Sequence, residues 1–323
     1  MAVSLPEPGS FEQFEAFRTN PPLWLPAALD IARGHSLDCS DIHVFPNGSN
    51  LVVALGRKLI LKIYPPLLRH QFVAELATLP LLEGRLSVPT PKVVVEGERD
   101  GWPYLVMTRM QGVTGEDAWP ALPEDQKERV LRQIGGLIAE AQRAPAGELI
   151  ELEPRWDRFW PKQIQGCRAR HERLGLPQRY LDGLDEYIRD AESLIPSEVS
   201  PVLLTGEYIP ENFLLRESSE GWELSALIDF GDVMTGWGEY DLVGPSTFMA
   251  GGEPGRIKNL LRGYGYADAQ IDGDLRRRLM TLLLLHRFSH PAGQVRIDDW
   301  QKKARTLQEL ERLIWPIEGH TRG

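Results

Sequence analysis

Apolar and polar positions along the chain fall into two textures that meet near residue 110. From Ile42 onward, short apolar runs alternate with turn signals: Ile42-His-Val-Phe45, Leu51-Val-Val-Ala-Leu55 and Leu59-Ile-Leu-Lys-Ile-Tyr64 are separated by Asn47-Gly48 and Gly56-Arg57. Runs rich in β-branched and aromatic residues, joined through glycine turns, predict an antiparallel meander. The segment 69–82 reads as a helix, and 92–96 and 104–107 as two more strands, with Pro89, Pro91 and Pro103 interrupting between them. The simplest summary is a five-stranded antiparallel sheet with one helix.

Beyond Gly112 the spacing becomes helical. A helix starts at Pro123-Glu-Asp, and Val130, Ile134, Leu137, Ile138 and Ala141 recur at three- and four-residue steps until Pro145 stops it. Further helices are expected at 178–195, 275–289 and 300–315. Two short apolar strands, Val202-Leu-Leu204 and Leu224-Ser-Ala-Leu-Ile228, lie among them. The pattern is α+β: an N-terminal lobe over 1–110 and a mostly helical lobe over 111–323.

Composition narrows the class. With 323 residues, 42% apolar and 25% charged, the chain suits two lobes with a large core and excludes a disordered or fibrous protein. The net charge of −10 has the wrong sign for a nucleic-acid or anionic-membrane binder. Through Met110 there are 10 basic and 11 acidic residues, against 26 and 35 beyond it, so the acidity sits in the later two thirds and a cationic small partner fits better. Cys39 and Cys167 lack CxxC spacing, which indicates neither a disulfide framework nor a zinc site. The longest apolar stretch, 279–285, is too short for a bilayer, and the first residues lack an export signal, so the expected location is the cytoplasm.

Two constellations carry chemistry. Thr205-Gly206-Glu207-Tyr-Ile-Pro-Glu-Asn212 is followed by Leu227-Ile228-Asp229-Phe230-Gly231-Asp232. A carboxylate, an amide five residues later and a second carboxylate on the following hairpin are what phosphoryl transfer needs: one group to orient an acceptor hydroxyl, two oxygens for Mg²⁺. Upstream, Lys62 lies mid-strand between Leu61 and Ile63, with Glu75 on the next helix. A lysine in an apolar strand is costly unless its ammonium finds a partner, and a Lys–Glu pair holding nucleotide phosphates supplies one. The turn Pro46-Asn-Gly-Ser49-Asn50 can offer backbone N–H groups to phosphates, although any hairpin turn looks the same.

These residues resemble the aminoglycoside phosphotransferases, which share the two-lobed fold of protein kinases. The resemblance runs over nearly the whole chain. It implies that Lys62 and Glu75 are the strand lysine and its helix partner, that Ser49 lies at the nucleotide, and that Asn212 and Asp229 are the metal ligands. Tyr104-Leu-Val-Met-Thr108-Arg-Met110-Gln-Gly112 is similar to the family's interlobe hinge, where Thr108 and Met110 would meet adenine. Glu239-Tyr-Asp-Leu242 resembles the supporting motif that follows. The runs Trp102–Met110 and Leu285-His-Arg-Phe288 are similar to hygromycin B phosphotransferases of the 7″-hydroxyl type. The implied substrates are ATP (or GTP) with Mg²⁺ and a small polar or cationic hydroxyl acceptor, with antibiotic resistance as the consequence.

One departure matters. The family has His-Gly-Asp where this chain has Thr205-Gly206-Glu207, so the expected catalytic carboxylate, Glu207, lies one methylene further from the backbone and its neighbouring histidine is absent. A displacement of about 1 Å can cost on the order of 10²-fold in rate. Rival readings are therefore a nucleotide-binding regulatory protein and a kinase of sugars or amino alcohols.

Other signals read as structural. His286 and His290 stand four apart on an expected helix, which more often marks capping than zinc. Arg276-Arg277-Arg278 reads as the wet side of an apolar helix. Trp156, Phe159 and Trp160 can stack on a sugar but are more often core. Asp232, Glu239, Asp298 and Asp299 read as solvated surface carboxylates.

Overall fold

Alternation of side chains along the first strands decides what covers each face of the sheet. The computed structural model describes residues 4–196 and 198–317, and two units divide the chain. The first comprises residues up to 84, 89–111 and 227–233. Its sheet is built from β1 (Ile42–Phe45), β2 (Leu51–Leu55), β3 (Leu59–Ile63), β4 (Val93–Arg99) and β5 (Trp102–Thr108), all antiparallel in the order β1-β2-β3-β5-β4. The expected five strands are present. Helix α3 (Arg69–Leu82) has the expected bounds.

Two further helices enter where the sequence reading had none: α1 (Phe11–Arg18) and α2 (Pro21–Gly34). Leu51, Val53, Leu61, Ile63 and Val106 of the sheet and Phe14, Trp24, Ala28 and Ile31 of these helices form one buried cluster. Each large aliphatic side chain fully buried this way contributes roughly 1.5–3 kcal/mol. Three prolines within α2 hide its period, but Ser10 capping the Gln13 N–H and Asn20-Pro21-Pro22 are legible start signals. With Leu61 and Ile63 on that face, Lys62 must project from the other, because side chains alternate along a strand.

The second unit comprises 85–88, 112–226 and from 234 onward. The expected helix runs over Glu124–Arg143 and buries Val130, Ile134, Leu137, Ile138 and Ala141. It packs on the helix Pro254–Tyr264. The approach is close enough to demand glycine: a Cβ at Gly135 would lie 2.1 Å from the Leu260 carbonyl oxygen, and one at Gly263 2.1 Å from that of Arg132. Strand β6 (Val113–Thr114) joins β8 (Phe213–Ser218) and β9 (Gly221–Leu227) in a three-stranded sheet, while β7 (Val202–Leu204) pairs antiparallel with β10 (Met234–Gly236).

Several expected helices are shorter. The segment 178–195 breaks into Gln178–Leu181, Leu184–Asp190 and a tight turn at Glu192–Leu194, interrupted at Asp182-Gly183. The segment 300–315 splits into Trp300–Lys303 and Leu307–Ile314, the second capped by Thr306. The apolar helix 273–285 ends at Leu285, where His286 turns extended, so His286 and His290 do not share a helix. No group of three or more histidines, cysteines or carboxylates suited to a metal ion occurs among the described residues. The basic run is not a wet face: Arg276 and Arg277 pair with Glu311, and Arg278 with Glu239. Glu239, expected at the surface, is buried in that pair and also accepts from Tyr266. No described helix is long and apolar enough to cross a membrane.

Candidate active site

In the first unit, Lys62 lies centrally in the sheet, opposite Val52 of β2 and Leu105 of β5. Its ammonium donates to Glu75 Oε2 at 2.7 Å and to Asp229 Oδ1 at 2.9 Å. Glu75 Oε2 also accepts from the Tyr64 hydroxyl at 2.6 Å, and Oε1 from the Phe230 N–H at 3.4 Å. The Lys62 and Glu75 side chains are 7% and 1% exposed, so the ion pair is desolvated, whereas Asp229 at 37% remains accessible.

Burial opposes charge on all three groups, and the partners decide the outcome. For Lys62, burial pulls the pKa down, but Asp229 and Glu75 together raise it above the ordinary lysine value. Burial likewise pushes the Asp229 carboxyl up, yet the Lys62 ammonium and the Gly231 N–H outweigh it and the net direction is down. For Glu75 burial wins over Lys62, and the direction is up. A permanently cationic lysine beside an ionised aspartate follows.

The second unit carries the loop after β7. Gly206 sits at φ +77°, the left-handed region that glycine enters without penalty. The buried Asp241 carboxylate accepts the Thr205 N–H and the Gly206 N–H, both at 3.0 Å, one on each oxygen. Burial lifts the Asp241 carboxyl to about 7, against the two backbone donors and Arg287. This clamp holds the loop at Thr205 and Gly206. The Glu207 carbonyl accepts the Ile209 N–H at 2.9 Å and Asn212 Nδ2 at 3.0 Å, so the backbone at the carboxylate is tied to the amide side chain five residues on.

Beside Glu207 lies a pocket of about 110 Å³ whose walls include Ile209, Tyr240, Phe248, His286 and Phe288. Tyr240 and His286 stack with ring centroids 4.3 Å apart, and His286 Nδ1 accepts the Phe288 N–H. Burial, then Arg287 and Arg170, depress His286 to about 3, so its imidazole is neutral near physiological pH. Trp156 packs edge-on to Tyr240 and stacks on Trp160, which makes the tryptophan cluster partly a wall behind this pocket.

Asn212 and Asp229 each present a side-chain oxygen to a metal ion. Both Asp229 contacts fall on Oδ1, and Asn212 uses Nδ2 and its backbone N–H, so Asp229 Oδ2 and Asn212 Oδ1 have no partner among the described residues. Two hard, unengaged oxygens are the donor type Mg²⁺ takes. The residues fit.

Of the sequence-expected residues, Lys62, Glu75 and Asp229 meet in the first unit, and Glu207 and Asn212 meet in the second. Ser49 donates to Gln71 Oε1 at 3.3 Å, a contact within the protein that the sequence reading did not foresee. Thr108 ends β5 opposite Leu59, and its hydroxyl accepts the Lys92 N–H; Met110 follows two residues on. Sequence reasoning missed Tyr64 as a second donor to Glu75, the Tyr240–His286 stack, and Gln71. For Gln71 a signal existed, since it precedes Glu75 by one helical turn.

A model of the phosphotransferase enzyme family matches residues 42–307. Among solved structures, the chain is similar to the GDP complex of wild-type aminoglycoside 2′-phosphotransferase-IIIa, at 21% identity over 90% of this chain and 98% of that one, with a TM-score of 0.63. A GDP and kanamycin complex of an aminoglycoside phosphotransferase of the 2″ type shares 22% identity over 81% and 90%, with a TM-score of 0.62. Macrolide 2′-phosphotransferase MphH from Brachybacterium faecium shares 17% over 85% and 98%, with a TM-score of 0.59. At these identities the likeness speaks to the fold, which is the two-lobed kinase-like one.

Proposed function

The chain belongs to the phosphotransferase enzyme family, and we propose that it moves the γ-phosphoryl group of ATP, or of GTP, to a hydroxyl of a small polar or cationic molecule, an aminoglycoside or aminocyclitol antibiotic such as hygromycin B. What carries the reading is the buried ammonium of Lys62, held between Glu75 and Asp229 while one Asp229 oxygen stays unengaged. A desolvated lysine with two carboxylate partners is expensive to maintain for stability alone. Oriented cationic charge for nucleotide phosphates supplies the reason for it.

In the proposed reaction Lys62 grips the α and β phosphates, with its charge secured by the two carboxylates. Ser49, in the turn after β1, and Thr108 with Met110, at the end of β5, contribute backbone contacts to the phosphates and to the base. Asn212 Oδ1 and Asp229 Oδ2 would hold Mg²⁺, which when bound supplies positive charge to the phosphoryl oxygens. Glu207 accepts the hydroxyl proton of the acceptor as its oxygen bonds to the γ phosphorus and the bond from that phosphorus to the bridging oxygen of the diphosphate breaks. The products are a phosphorylated acceptor and the nucleoside diphosphate. In a loose transition state positioning contributes more than proton abstraction, so a glutamate on a loop whose backbone Asp241 and Asn212 hold can serve.

The test is diphosphate release from Mg·ATP over a panel of hygromycin B, kanamycin, a macrolide, sugars and amino alcohols, run beside Glu207→Ala. Antibiotic-dependent release that Glu207→Ala abolishes is expected. Release only with sugars or amino alcohols would replace the antibiotic reading. Nucleotide binding without release on any acceptor would replace the enzymatic one.

A further inference from the structure

One face of α3 grips the segment around Asp229 at two points. Gln71 and Glu75 stand four residues apart and share that face. Glu75 takes the Phe230 N–H, and Gln71, 6% exposed, donates from Nε2 to Asp232 Oδ2 at 3.0 Å. The other end of the Gln71 amide, Oε1, accepts from Asn50 Nδ2 at 3.0 Å and from the Ser49 hydroxyl at 3.3 Å. The amide orientation follows from its partners, since Asp232 Oδ2 accepts and the Ser49–Asn50 side offers donors. Directly before the first grip Asp229 sits at φ +66°, a left-handed conformation that is strained for a non-glycine residue and persists only where its surroundings over-determine it. Gly231 lets the helix approach, for a Cβ there would meet the Gln71 Cβ at 3.1 Å.

We propose that Gln71 is a positioning residue for phosphoryl transfer: by tying Asp232 to the turn at Ser49 and Asn50, it holds Asp229 in its left-handed backbone and fixes the phosphate turn and the metal-ligand segment relative to each other. The inference rests on the reading of Asp229 as a metal ligand. Glu75 anchors Phe230 on this face. Gln71 supplies the second anchor and extends it to the turn.

The experiment is a rescue series in the full chain: Gln71→Glu, Gln71→Met, Asp232→Asn, and Gln71→Glu with Asp232→Asn. A glutamate at 71 keeps an acceptor toward Asn50 and Ser49 but sets a carboxylate against Asp232; an asparagine at 232 gives that carboxylate a donor again. Nucleotide affinity is measured by calorimetry in Mg²⁺ and in EDTA, with kcat and Tm alongside. Gln71→Glu and Gln71→Met should lower kcat by about 10- to 100-fold. They should also shrink the gain in ATP affinity that Mg²⁺ brings, with a smaller loss of affinity in EDTA, because Lys62 is intact while the phosphate turn loosens. The double variant should recover both to within about threefold of Asp232→Asn, a coupling of the kind neighbouring residues show. A double variant no better than Gln71→Glu, or single variants that lower Tm while kcat and the Mg²⁺ gain stay at wild-type values, would overturn the role. Loss of the antibiotic reading leaves the calorimetric arm intact; absence of any Mg²⁺ gain in the wild type overturns this inference and the metal-ligand reading together.

Discussion

Replacing Lys62 by methionine removes the ammonium while keeping most of the side-chain length, and the structure gives the size of the effect. Two charge-assisted contacts, of 2.7 and 2.9 Å, disappear, and Glu75 at 1% exposure is left facing Asp229. Breaking a buried ion pair from one side costs about 3–5 kcal/mol, because the remaining charge is uncompensated. At about 2–4 °C per kcal/mol, a Tm drop of roughly 6–20 °C follows at pH 8. The deficit should depend on pH. The Glu75 carboxyl is already pushed up by burial and by Asp229, and only Lys62 and Tyr64 hold it down. Without Lys62 it rises further, so the folded variant binds a proton that the unfolded chain does not, and its stability increases as pH falls toward the ordinary glutamate range. Urea unfolding of Lys62→Met and wild type from pH 8 to 5.5 measures both effects. A deficit under about 1 kcal/mol at pH 8, or one that does not narrow on acidification, would refute the claim that a desolvated Lys62–Glu75 ion pair exists here.

Other consequences follow from the second unit. Asp241, raised to about 7 by burial, makes the folded chain hold one more proton than the unfolded chain between about pH 4 and 7, so its contribution to stability falls as pH rises across that window, by about 4 kcal/mol in total. Asp241→Asn should flatten that slope in urea titrations and lower kcat, since an amide cannot accept both loop N–H groups. Glu207→Ala should lower kcat by about 10²- to 10⁴-fold with nucleotide affinity unchanged, and Glu207→Asp by about 10-fold, because the carboxylate retreats by one methylene from the acceptor; steady-state kinetics with calorimetry separates the two terms. Gly206→Ala should cost about 1–2 kcal/mol in urea unfolding and reduce kcat, as φ +77° is unfavourable for alanine.

The sheet was legible because short apolar runs are bounded by glycine turns, with Lys62 as the conspicuous exception, and the helix Glu124–Arg143 because its apolar stripe is stopped by proline. The N-terminal helices were not, since prolines inside α2 blur the stripe that Trp24, Ala28 and Ile31 form. The helices predicted at 178–195 and 300–315 broke where Gly183 and the Thr306 cap compete with the period. In the site, residue types at motif spacing marked Lys62, Glu75, Asn212, Asp229 and Glu207 as candidates. The contacts that hold them were beyond reach of spacing. Nothing local says that Asp241 turns both oxygens onto the backbone at 205–206, or that the Arg276–Arg278 run points at Glu311 and Glu239; those pairings are settled by chain-distant packing.

The central claim is that this chain passes a γ-phosphoryl group to an acceptor hydroxyl through the Lys62–Asp229 site. Single-turnover incubation with γ-labelled ATP, Mg²⁺ and hygromycin B, with the label located by mass spectrometry, tests it most directly, comparing wild type with Asp229→Asn. Label in the antibiotic with wild type, matched by nucleoside diphosphate and lost in the variant, is the predicted result. Label confined to inorganic phosphate, or transfer by Asp229→Asn at the wild-type rate, would contradict it.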